Sequence, residues 1–303
     1  VTTVAALRNR HTLLWCVAAL IAMVVVVLIA RWLREMSAVQ SFVFAYPGAT
    51  PLPTSAPIGL PAWVGWQHFL NVFFMVLIVK TGWSVRTKAR PAAYWTRMVG
   101  PTNSARPPKR ISLDLWFHLS LDVLWMVNGI LFIVLLFATA QWVRLVPTSW
   151  EVVPNALSTA LQYASLNWPT ENGWVNYNSL QLLAYFSIVF VAAPLAIITG
   201  VRMSPLWPDT AERAGRVFPI ELARAVHYPV MLYFVLFAIA HVTLVLATGA
   251  LRNLNHMYAA RDETSWVGFA LFAASAVAMV AAWIFARPVI LRPIAALTGK
   301  LNR

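Results

Sequence analysis

The 303-residue chain carries little charge. Asp, Glu, Lys and Arg make up 11% of it, hydrophobic residues 60%, and the mean hydropathy is +0.68. Soluble globular domains carry about 25% charged residues, so this composition excludes a soluble fold and points to the bilayer. Acids are the scarcer sign: 10 against 23 Lys and Arg, for a net charge of +13. Cysteine is nearly absent. With Cys16 alone, the sequence excludes an internal disulfide, a cysteine-held Fe–S cluster and a CxxCH attachment. A redox cofactor here needs other ligands. The sequence also shows no internal repeat and no low-complexity tract.

What it has are long apolar runs. Six are long enough for a bilayer, which takes roughly 20 residues per helix: 13–33, 62–84, 113–138, 179–201, 223–248 and 265–286. The first exceeds the ~7–15-residue core of a signal peptide, with no A-x-A site after it, and reads as a helix. The expected fold class is all-α: a polytopic membrane protein of six transmembrane helices. The segment 84–113 holds Arg86, Lys88, Arg90, Arg97, Arg106, Lys109 and Arg110 and no acid. Arg202, Arg213, Arg216 and Arg224 follow the fourth run, and Arg287, Arg292, Lys300 and Arg303 the sixth. The intervening loops are sparse or balanced. This alternation predicts a multi-pass protein of the plasma (inner) membrane with both termini cytoplasmic; Arg31 and Arg34 are the contrary signal. The basic charge is then a topology signal, not a nucleic-acid footprint, and its loops are available to anionic lipid or an acidic protein partner. The Pro-rich stretch 46–61 reads as an outer loop. The segment 154–169 reads as a short interfacial helix, with Trp150, Trp168 and Trp174 at headgroup depth.

There are six histidines. His11 and His256 fall outside the runs and read as solvated. His68, His118, His227 and His241 fall inside them, where an ionisable side chain is costly and marks function. His227 and His241 are fourteen residues apart. At about 100° and 1.5 Å per residue they share one helix face, ~21 Å apart along the axis. Following the chain back and forth sorts the four by depth: His68 with His241 near the outer face, His118 with His227 near the inner. Imidazole is a common haem ligand, and helical bundles hold cofactors between facing helices, so two such pairs suit two stacked haems. Gly65, one turn from His68, with Gly82 and Gly129, offers room for a flat cofactor. Arg224, three residues before His227, with Arg86 and Arg202, offers cations for haem propionates.

The stretches QHFLNVFFMVLIVKTG, NSLQLLAYFSIVFVAAPLAIITGVRMS and ARAVHYPVMLYFVLFAIAHVTLV resemble the di-haem transmembrane cytochrome b family, which includes formate dehydrogenase gamma subunits and nickel-iron hydrogenase cytochrome b subunits. The resemblance covers roughly 62–249. Its specific parts are the H-x13-H helix and the endings Thr81-Gly82 and Thr199-Gly200. It implies a four-helix core holding two haem b, with axial pairs His68/His241 and His118/His227. It also implies electron transfer between membrane quinone (menaquinone or ubiquinone) and a partner oxidoreductase of molybdopterin or Fe–S type. The expected parts are an added helix and loop (1–61), the core (62–249), and a last helix with its tail (250–303). The added first helix turns the core over, so the partner is expected on the basic cytoplasmic loops. In the family, quinone lies near the haem of the later H-x13-H histidine. Asn71, one turn from His68, is the candidate quinone contact there, and Asp122, one turn beyond His118, the competing one. The alternative function is a proton-coupled transporter using the intramembrane histidines and Asp122, against which stands the lack of an inverted repeat or obviously broken helix.

Overall fold

The computed structural model describes residues 2–97, 109–168, 172–205, 207–208 and 212–302, with the side chains of 2–11 and 212 left aside. Arg106, Arg303 and the side chain of His11 thus lie outside the described residues. The protein is an all-α polytopic membrane protein. Among the described residues six helices are long and apolar enough to cross a membrane: Thr12–Glu35, Ala62–Thr87, Leu113–Ala138, Ser179–Met203, Ile220–Ala247 and Val267–Phe285. Hydrocarbon offers no partner for a backbone N–H or C=O, so an apolar run closes its hydrogen bonds within itself. Polar caps mark two of the starts. Ser112 Oγ accepts from the Leu115 amide at 3.1 Å, and Asn178 and Gln181 form a reciprocal capping box.

The chain divides into two compact units. One comprises 1–56 and 141–187 and contains the first span and the helix Val152–Ala164. Gly48 anchors this unit. Its φ of +120° suits glycine alone, its amide donates to Asn155 Oδ1 at 2.9 Å, and its carbonyl accepts from Thr159 Oγ1 at 2.9 Å. Arg31 and Arg34, which ran against the charge pattern, are tied down here. Arg31 Nε donates to the Ser165 carbonyl at 3.1 Å and Arg34 to Ser165 Oγ at 2.9 Å. The segment 154–169 does begin in a helix, which ends at Ala164.

The other unit comprises 57–140 and 188–303. Its second span packs on its third, and its fourth on its fifth. Three features were not expected from sequence. The fourth span carries a π-helical stretch over Ser187–Ala192. Pro194 follows it, and a proline lacks an N–H and clashes with the carbonyl four residues back; widening the turn absorbs both. Lys80, inside the second span, donates to the carbonyls of Trp283 and Ala286 and lies 5.0 Å from the Trp283 ring centre. It thereby caps the negative end of the sixth span. Third, strand Tyr94–Arg97 pairs antiparallel with Arg110–Ser112 and with Gly299–Asn302 from the C-terminal tail. This sheet lies at the basic end of the unit, over a core of Ala93, Leu113, Leu291 and Ala295.

Candidate cofactor site

His118 and His227 sit near the basic ends of the third and fifth spans, and each is met by a threonine from a neighbouring span. Thr81 Oγ1 lies 2.9 Å from His118 Nδ1, and Thr199 Oγ1 lies 2.8 Å from His227 Nδ1. Both threonines are buried. The next residue in each case is glycine, and each ring turns its Cε1 edge to that glycine: a Cβ would stand 3.2 Å from His118 Cε1 at Gly82 and 3.5 Å from His227 Cε1 at Gly200. Asp122 Oδ2 lies 3.7 Å from His118 Nε2, beyond hydrogen-bond length.

At the opposite end, His68 and His241 lie with ring centres 6.2 Å apart and planes at 52°. Aromatic rings hold this pair. His241 stacks on Phe237 at 5.5 Å and 8°, and His68 stands edge-to-face with Tyr258 at 5.7 Å and 84°. Tyr258 belongs to a π-helical turn, Asn255–Ala259. The buried Asn255 braces that turn, donating from Nδ2 to the carbonyls of Glu263 at 3.0 Å and Ser265 at 2.7 Å, and accepting from the Gly268 amide at 2.8 Å. Burial of the Tyr258 phenol raises its pKa. His256, read from sequence as solvated, is 4% exposed. Its Nε2 lies 2.7 Å from Asp262 Oδ1, and Arg252 binds the same carboxylate at 2.8 and 3.1 Å.

Between the two pairs lies a packed apolar layer. Ala192, Val230 and Phe234 are buried there against Met75, Trp125 and Ile188. Trp125 meets Phe234 edge-to-face at 6.3 Å and donates from Nε1 to Asn71 Oδ1 at 2.6 Å. The remaining residues singled out from sequence fall as follows. Gly65 makes room for backbone rather than for a flat cofactor: a Cβ there would lie 2.5 Å from the Met257 carbonyl oxygen. A Cβ at Gly129 would meet nothing within 4 Å. Arg224 is exposed, Arg86 lies 4.0 Å from the Tyr228 ring centre, and Arg202 donates to the Phe218 carbonyl at 2.6 Å. Thr81, Thr199, Phe237, Trp125 and Tyr258 had no assigned role in the sequence reading. The one signal pointing to any of them was the repeated Thr-Gly at the ends of two spans.

The donor chemistry limits what these pairs can hold. Among the described residues no three His, Cys, Asp or Glu side chains converge as a metal site. Protein-only zinc sites need three or four such ligands. A pair of imidazoles suits a metal whose other ligands come from elsewhere, as in a macrocycle. Two imidazoles bound end-on to one metal would set their ring centres about 6 Å apart, and the His68/His241 spacing of 6.2 Å fits that. On the second span, Trp63 Nε1, Gln67 Oε1 and His68 Nδ1 are buried with no hydrogen-bond partner among the described residues. Unsatisfied buried polar atoms are rare and often mark a bound group.

The fold and site thus define a polytopic helical membrane protein with intramembrane histidines at two levels. The chain is 26% identical over 201 residues to the putative protein-methionine-sulfoxide reductase subunit YedZ1 of Azospira oryzae, covering 61% of this chain and 88% of that one. No family model matches the chain, and no solved structure matches it.

Proposed function

We propose that this chain is the membrane electron-transfer subunit of a quinone-linked oxidoreductase, holding two b-type haems between His68 and His241 and between His118 and His227. The observation that carries the reading is four intramembrane histidines in one helical unit, with the ring centres of His68 and His241 6.2 Å apart at one end and His118 and His227 each met by a threonine at the other. When bound, the haems supply one-electron carriers near both membrane faces. The residues of the chain hold and orient them, and the layer around Trp125 and Phe234 keeps water from the space between. The similarity to a putative methionine-sulfoxide reductase subunit supports a reductase as the partner and, with it, electron flow from quinol to the partner enzyme. Reducing a sulfoxide to a thioether consumes two electrons and two protons and releases water.

The Trp125–Asn71 bond supports a quinone contact at the His68/His241 end. It engages the amide oxygen of Asn71 and leaves Nδ2 as the donor that a quinone carbonyl accepts. The basic sheet and loops at the other end are the docking face, cytoplasmic by the charge pattern. Pyridine haemochrome analysis of the purified protein tests the reading, with two haems expected per chain. A colourless protein would overturn it in favour of proton-coupled transport through the histidines and Asp122. In a Cys16→Ser background, labelling of Arg90→Cys from outside intact cells would reverse the orientation.

A further inference from the structure

We propose that Thr81 and Thr199 are positioning residues that fix the tautomer of His118 and His227, leaving Nε2 of each imidazole as the metal-binding nitrogen. The tautomer part stands on the hydrogen bonds alone; its redox consequence rests on the haem reading above.

A hydroxyl has one proton. Thr81 Oγ1 lies 2.8 Å from the Leu77 carbonyl and 3.0 Å from that of Ile78, so its proton goes to the backbone. Toward His118 Nδ1, at 2.9 Å, it can then only accept. Nδ1 therefore carries the hydrogen, and the lone pair of the neutral ring is on Nε2. The arrangement repeats on the fourth span. Thr199 Oγ1 lies 2.6 Å from the Leu195 carbonyl and 3.2 Å from that of Ala196, and 2.8 Å from His227 Nδ1. Each threonine is followed by the glycine that the ring edge faces. Two unrelated stretches of sequence thus build one device twice: a hydroxyl to orient the ring and a bare Cα to admit it.

A metal-ligating histidine usually donates its other N–H to a fixed acceptor, which sets ring orientation and raises ligand basicity. A more basic imidazole favours the oxidised iron, so losing the acceptor should raise the reduction potential. Thr81→Val and Thr199→Val keep shape and remove the hydroxyl; Thr81→Ser and Thr199→Ser keep it.

Two measurements test this on the full-length protein. Nitrogen NMR of histidine-labelled, haem-free protein should show Nδ1 protonated and Nε2 bare at His118 and His227, and a mixture of tautomers in the valine variants. Nδ1 found bare in the wild type would overturn the proposal. In haem-loaded protein, redox titration should show one haem shifted upward in each valine variant. The shift should be on the order of tenfold in the redox equilibrium, which is about 59 mV for one electron. The other haem should not move, and the serine variants should restore the wild-type value. A shift of both haems, or of neither, would overturn the redox part. A wild-type protein that binds no haem would sink the haem reading, while the NMR result would still decide the tautomers.

Discussion

The two histidine pairs are the same chemistry held by different means. At the basic end, Thr81 and Thr199 bind His118 and His227 through ring nitrogens at 2.9 and 2.8 Å. At the opposite end His241 rests face-on against Phe237, and His68 stands edge-on to Tyr258. A hydrogen bond fixes both position and proton. An aromatic wall fixes position alone, and His68 Nδ1 has no partner among the described residues. The first pair is therefore set by its neighbours on adjacent spans, and the second by how well the loop 250–266 is braced over it.

The largest expected effect is removal of a ligand. His118→Ala and His227→Ala should each abolish the same haem signal and spare the other, and His68→Ala and His241→Ala should do the reverse. Pyridine haemochrome content and low-temperature difference spectra check this. Loss of both haems in every variant would mean that the pairs are not independent sites.

Next come the glycines, where the two ends part company. At the far end glycine admits backbone: a Cβ at Gly65 would lie 2.5 Å from the Met257 oxygen and one at Gly268 2.4 Å from the Asn255 nitrogen. Backbone cannot step aside as a side chain does, so Gly65→Ala and Gly268→Ala should destabilise by about 1–3 kcal/mol. At the basic end a Cβ meets a ring edge, at 3.2 Å for Gly82 and an ordinary 3.5 Å for Gly200. Gly200→Ala should be near neutral and Gly82→Ala intermediate. Thermal denaturation in detergent ranks the four; an order with Gly200→Ala worst would contradict the packing described.

Much of this was legible in the sequence because lipid leaves a chain few options. The third span begins at Leu113 and ends at Ala138, as the apolar run does, since Ser112 caps one end and the hydrophobicity stops at the other. Helix geometry alone puts His227 and His241 on one face, and counting passes puts His68 at the depth of His241. What stayed hidden depends on pairings between distant residues. Strand Tyr94–Arg97 needs the tail strand Gly299–Asn302, and neither is long enough to show a period of two. The role of Thr81 is invisible until His118 arrives from the next span. His256 looked like a surface residue because it lies outside an apolar run; its burial comes from the fold of its own loop around Asp262. Arg31 and Arg34 broke the charge pattern because their partner, Ser165, is more than a hundred residues away.

The smallest expected effect concerns the brace itself. Asp262 is held down to about 2, from an ordinary 3.8, by Arg252 first and then by His256. A carboxylate whose folded pKa is depressed adds stability above its unfolded pKa and loses it as pH falls through the folded value. The contribution should be constant from neutrality to about pH 4 and fade as pH approaches 2. Because the pair is exposed to solvent, it should be modest and should weaken with added salt. Melting of wild type and Asp262→Asn across that range reads it out, with the far-side haem spectrum as a local reporter. Their difference should shrink below about pH 4, and the basic-end haem should be indifferent to the substitution throughout. A difference that vanishes well above pH 4, or a basic-end haem that responds as strongly as the far one, would show that the loop is not the part that distinguishes the two ends.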